Sequence, residues 1–243
     1  MDNKYEYLKK ILDNSRYTVA MCGSGTLLEA GHETFRHQAY AYEIERKYGR
    51  SPEYIFASNY YNTRTDKFFE FYKSEVLKKI IEPTETSYAL QRMEEKGKLQ
   101  CIMTSNFYDI ERRAGCKNVL NLHGTIYHNV CPRCKKEYPM EYIRDCKKVP
   151  YCEKCSSVVR PDVALYGEQL DSRLTSHAAS EVEKADTLLL LGTTLASDVY
   201  SNYVRYFEGS HVVIIHEKEH FTDSKADLVI YDAPKNVLPK LGY

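Results

Sequence analysis

The sequence predicts an α/β fold: a Rossmann-like parallel sheet with smaller helical and zinc-binding modules. Three observations carry this. Short apolar runs recur that are continuous rather than alternating, helical stretches separate them, and one Cys/Lys/Pro-rich stretch breaks the alternation. A strand buried on both faces reads as an unbroken apolar run, which suits a parallel sheet covered by helices on each side.

The elements follow in chain order. Residues 2 to 14 read as a helix, and Tyr17 to Met21 form an apolar strand that stops at a glycine turn, CGSG. A helix is expected from Thr26. Residues 37 to 96 are helical stretches rich in Tyr, Phe and charge, interrupted by Gly49, Pro52 and Pro83. LQCIMTSN, VLNLHG, ADTLLLLGTT, HVVIIH and ADLVIY supply the remaining strands. The expected division is 1–36, 86–124 and 160–243 as the nucleotide-binding domain, 37–85 as a helical module and 125–159 as a zinc module.

Lys plus Arg and Asp plus Glu both number 34, so no net charge draws the chain to nucleic acid or an anionic membrane. Neither partner is expected. The longest apolar run, TLLLLG near residue 190, is too short to span a bilayer, and the first residues lack a signal-peptide core, so a cytoplasmic location is expected. The eight cysteines are then read as reduced.

Four of them form two CxxC pairs, Cys131 with Cys134 and Cys152 with Cys155, separated by 17 residues. Two such knuckles close a tetrahedron of thiolates around Zn²⁺ with no open position, which makes the expected zinc structural. Redox pairs or plain burial are the alternatives. Cys22, Cys101, Cys116 and Cys146 lack this spacing and are assigned no chemistry.

Gly23, Ser24 and Gly25 close a strand and open a helix, where backbone amides could hold a pyrophosphate; a plain tight turn is the equal alternative, since Leu28 stands where a third glycine is usual. Ligands of open α/β sheets bind at the carboxyl ends of the strands, and here those ends carry Gly23, Asn106, His123, Gly192 and Thr193. His123 could take a proton at neutral pH, or could simply cap backbone groups as a structural histidine.

In this order the segments resemble the sirtuin family of NAD-dependent protein deacylases. GSGTLLEAGHETFR, TSNFYDIERRAG, LHG, the cysteine quartet, RPDVALYGE and LLLGTTL are similar to six family segments spread over residues 17 to 240. The resemblance implies a nucleotide-binding fold with NAD on one side of a cleft and an acylated lysine on the other. It implies His123 as base, activating a ribose hydroxyl, and Asn106 as the residue that places water or ribose. Gly23, Ser24, Gly25, Phe35, Arg36, Ser105, Asn106, Gly192, Thr193, Thr194 and His216 match positions that meet NAD. Val163, Tyr166, Gly167 and Glu168 match the flap that pairs with substrate backbone.

Departures from the family pattern matter as much. Ser24, Leu27, Thr34, Ser105 and His216 replace the usual Ala, Ser, Asp, Gln and Asn, and Phe107-Tyr108 replaces Ile-Asp, so a phenol stands where a carboxylate holds the nicotinamide amide. Tyr72 is expected to touch the acyl group, with Glu75 three residues on repelling acidic acyl chains, so neutral acyl groups are expected. The alternative functions are ADP-ribosyl transfer or NAD hydrolysis, and a non-catalytic NAD-sensing module.

Overall fold

The computed structural model describes residues 2–79 and 81–243; Met1 and Ile80, which fall inside the expected domain ranges, lie outside the described residues. All the strands expected from the apolar runs form. They are β1 (Thr18–Cys22), β2 (Cys101–Thr104) and β3 (Val119–Asn121), with β7 (Thr187–Leu191), β8 (His211–His216) and β9 (Leu228–Tyr231) further along the chain. They make one six-stranded sheet of order β3-β2-β1-β7-β8-β9, and every pairing in it is parallel.

Every residue of β1, β2 and β7 is buried. Side chains alternate between the two covered faces: Val19, Met21, Leu188 and Leu190 pack with Ala178, Val182 and Tyr200, whereas Ala20, Cys22, Leu189 and Leu191 pack with Leu8, Leu12 and Leu90. Leu8, Ile11 and Leu12 come from the helix Asp2–Asn14, whose i, i+3, i+4 spacing lays one apolar stripe on the sheet. Because β1 lies between β2 and β7, the chain reverses direction across the sheet there, the place where α/β sheets open a crevice at their carboxyl ends.

A second sheet of order β5-β4-β6 is antiparallel and carries the cysteine pairs, with β4 at Gly124–Val130, β5 at Glu137–Pro139 and β6 at Arg160–Val163. Its apolar side (Ile126, Tyr138, Met140, Val159) shares one core with helices Gln38–Tyr48 and Thr65–Phe71, through Tyr40, Ile44, Phe68 and Phe71. The helical and cysteine-bearing segments thus pack on each other beside the main sheet. The expected helix after the glycine turn begins at Ser24 and ends at Glu29, little more than one turn.

A candidate active site at the switch point

β1 and β7 end side by side, and their turns interlock. The amide of Gly23 donates to the carbonyl of Leu191, and that of Gly25 to the carbonyl of Gly192, both at 2.9 Å. A Cβ on Gly25 would stand 2.5 Å from the Cα of Gly192, so these backbones approach as only glycine allows. The amides of Gly23 and Gly25 thus hold the two turns together, the following helix is too short for much of a dipole, and Gly23, Ser24 and Gly25 still border the hollows that open here. Gly25→Ala should force the turns apart at a cost of about 1–3 kcal/mol. Thermal unfolding checks this, and an unchanged midpoint would contradict it.

Two connected hollows open here. The outer one, about 590 Å³, is bordered by Gly25, Gly192, Thr193, Thr194 and His216. His216 is buried and its Nε2 lies 3.0 Å from Asp223, so it meets the hollow already engaged. The inner one, about 180 Å³, is bordered by Gly23, Phe35, Ser105, Phe107, Tyr108 and His123. Ser24, Arg36, Thr193 and Ser197 border both, and Arg36 forms an exposed 3.0 Å ion pair with Asp198.

His123 sits between β3 and β4. Its backbone carbonyl accepts from Ala164, and the next residue, Gly124, has φ +74° with Asp162 so close that a Cβ there would meet its carbonyl oxygen at 2.0 Å. No other residue type fits. Nδ1 of His123 lies 3.1 Å from the carbonyl of Ser105. A carbonyl only accepts, so Nδ1 carries the proton and Nε2 keeps its lone pair. Burial lowers the imidazole's pKa from its ordinary 6.5; the Ser105 carbonyl opposes this and Arg36 adds to it. His123 alone among the described residues borders all three of the inner hollow and two further ones, of about 650 and 600 Å³.

Three residues read from the sequence as facing NAD or the acyl group, Asn106, Tyr72 and Glu75, border none of the described hollows. Asn106 is buried and turned inward: its Nδ2 donates to Glu111 at 3.0 Å and to Thr104, while its Oδ1 accepts from the amide of Tyr108. It shapes the 105–109 loop rather than bordering a hollow. Tyr72 is 0 % exposed, stacked on Phe68 at 5.6 Å and on Phe56 at 6.3 Å, and borders none of the described hollows. Glu75 accepts from Lys47 and Tyr48 at 2.6 Å and from Tyr40 at 3.3 Å, and borders none of the described hollows.

The flap is also partly committed. Val163 pairs with Gly124, the amide of Tyr166 donates to Phe56 while its carbonyl accepts from Ser58, and Glu168 accepts from Arg160 at 2.6 Å and from the amide of Leu165 at 2.9 Å. Gly167 takes φ +86° in that turn. Among the described residues β6 is an edge strand paired only with β4, so its other edge is where a peptide strand could be added. Sequence reasoning missed His32, which borders the inner hollow and is joined to Tyr108, and Glu111, which holds Asn106; partners 76 residues apart in the first case leave no local signal.

The cysteine quartet converges. The sulfurs of Cys131, Cys134, Cys152 and Cys155 all lie within 4.8 Å of one another, with Cys131–Cys155 and Cys134–Cys152 at 3.4 Å. Zn–S bonds of about 2.3 Å would set sulfur separations near about 3.8 Å, so the four donors fit zinc. The two knuckles repeat one geometry: Lys135 and Ser156, just after the second cysteine of each pair, take φ +60° and +57°, and their amides donate back to Cys131 and Cys152.

The sequence profile of the Sir2 family matches residues 23–200. A protein of Clostridium perfringens named NAD-dependent protein deacetylase is 36 % identical over 242 residues, covering 99 % of both chains. One of the same name from Clostridium acetobutylicum is 35 % identical over 237 residues, covering 97 % of both. Among solved structures, a Sir2 with p53 peptide and NAD⁺ superposes with a TM-score of 0.82 at 26 % identity, covering 97 % of this chain and 95 % of its own.

Proposed function

Since this chain belongs to the Sir2 family, we propose that it removes neutral acyl groups such as acetyl from lysine side chains of proteins, consuming NAD and releasing nicotinamide and an acylated ADP-ribose. The observation that carries this is the place of His123, the one described residue that borders the inner hollow and both of the two further ones. NAD occupies the connected outer and inner hollows, and the acylated lysine enters from the side lined by Leu170, Asn202 and Tyr203. Bound NAD would supply a ribose carbon that the acyl oxygen attacks as nicotinamide leaves, and the ribose hydroxyl that then accepts the acyl group.

The chain's own residues do the rest. His123, neutral and with Nε2 free, accepts the proton of a ribose hydroxyl, while Ser105 holds its ring in that tautomer. Thr193, Thr194 and Gly192 line the adenosine end, and Phe35 and Phe107 give the inner hollow apolar walls that exclude water. The neutral-acyl preference rests on the relatives named protein deacetylase, not on Glu75. The cysteine quartet would hold zinc as a structural ion.

Incubation with NAD and an acetyl-lysine peptide, following peptide mass and nicotinamide together, tests this reading. Loss of acetyl with equal nicotinamide supports it; mass gained on peptide or protein would indicate ADP-ribosyl transfer, nicotinamide alone hydrolysis, and neither a sensor. A base must be unprotonated to work and the pKa of His123 lies below 6.5, so kcat/KM should stay level down to about pH 6.5 and fall below it. An acid limb centred above pH 6.5 would remove His123 as the base.

A further inference from the structure

The inner hollow ends on a pair of residues that nothing in the reaction so far uses. His32 and Tyr108 come from segments 76 residues apart, yet the Tyr108 hydroxyl lies 3.1 Å from Nε2 of His32 and the rings meet edge to face at 4.9 Å. Both border the hollow and both are buried, at 5 % and 1 % exposure. Of the buried side-chain polar atoms that lack a partner among the described residues, only Nδ1 of His32 belongs to a residue bordering this hollow.

Counting unsatisfied atoms selects the tautomer. If Nε2–H donated to Tyr108, the phenol proton and the Nδ1 lone pair would both be left unpaired in a buried place. If the phenol donates to Nε2, only Nδ1–H is left. The second arrangement strands fewer polar atoms and is the one the fold prefers. Burial lowers the His32 imidazole to about 4 and raises the Tyr108 phenol, so both stay neutral. What remains is a buried N–H donor that needs an acceptor.

We propose that His32 is the residue that selects the leaving base: its Nδ1–H donates to the carboxamide oxygen of the nicotinamide ring, and Tyr108 is a positioning residue that holds the imidazole in the donating tautomer. This rests on the reading that NAD lies with its nicotinamide ribose at His123, since the base carried by that sugar then falls in the inner hollow, away from the adenosine end. Two polar groups close by in the chain are already engaged, Asn106 with Glu111 and Thr104, and the Ser105 carbonyl with His123, whereas Nδ1 of His32 is buried without a partner among the described residues.

The test is direct binding to the intact zinc-loaded protein, by calorimetry, of NAD and of ADP-ribose, which lacks the base. The wild type should bind NAD more tightly than ADP-ribose. His32→Ala should lower NAD affinity by about 2- to 10-fold, the loss of one hydrogen bond, while ADP-ribose changes less than about 2-fold. His32→Asn, whose amide comes near the Nδ1 position, should recover NAD affinity; His32→Gln, which reaches the Nε2 position, should not. Equal weakening of both ligands would make His32 merely structural, and no weakening would overturn the proposal. Nitrogen-15 NMR of the histidines should show a protonated Nδ1 at His32, and a protonated Nε2 would overturn the assigned tautomer. None of these readouts requires turnover, so failure here is separable from failure of the deacylation assay.

Discussion

His123→Ala lowers deacylation by about 10²- to 10⁴-fold, the range a positioned general base contributes. The size follows from geometry: Nδ1 is tied to Ser105, Nε2 is the free acceptor, and this residue borders the inner hollow and both of the two further ones. NAD affinity should change little, because the outer hollow is built by Gly192, Thr193 and Thr194 without this ring. Single-turnover rates with acetyl-lysine peptide, measured beside NAD binding, separate the two quantities. A variant that kept its full rate would show that another group takes the proton.

Stripping zinc unfolds the cysteine-bearing segment. The turns at Lys135 and Ser156 hold non-glycine residues in the left-handed region, a conformation that bonds from the four thiolates to a zinc ion would keep in place. Structural zinc supplies on the order of 10 kcal/mol of folding energy in small sites. Here even a fraction of that, several kcal/mol, should lower the thermal midpoint by about 10 °C or more. Cys131→Ser should act in the same direction. Because Ile126, Tyr138 and Met140 share a core with Phe68 and Phe71, the loss should spread to the helical segment and take activity with it. Metal analysis should find one zinc per chain, and an unshifted midpoint after its removal would contradict the structural role.

Much of this was legible beforehand because it is local. Continuous apolar runs such as LLLL are buried on both faces wherever they sit in a parallel sheet, and paired CxxC turns bring sulfurs to one point by short-range geometry alone. The glycine turn was legible, but one reason for its glycines was not: Gly192 lies against Gly25, a partner 167 positions further along the chain. Tyr72 and Asn106 show the same limit. Three-residue spacing set Tyr72 and Glu75 together, but the aromatic rings of Phe56, Phe68 and Phe69 drew one inward and the lysine and tyrosines engaged the other.

What the sequence by itself determined is the set of strands, the converging cysteine quartet, and the position of a histidine at a strand end, all of them consequences of neighbours within a few residues. Only the tertiary structure decided which side chains face the crevice, that Asn106 turns to a buried carboxylate, and that Tyr108 meets His32. The physical reason is that a buried polar atom must find a partner wherever the fold brings one, and that partner is chosen by distance in space, not along the chain.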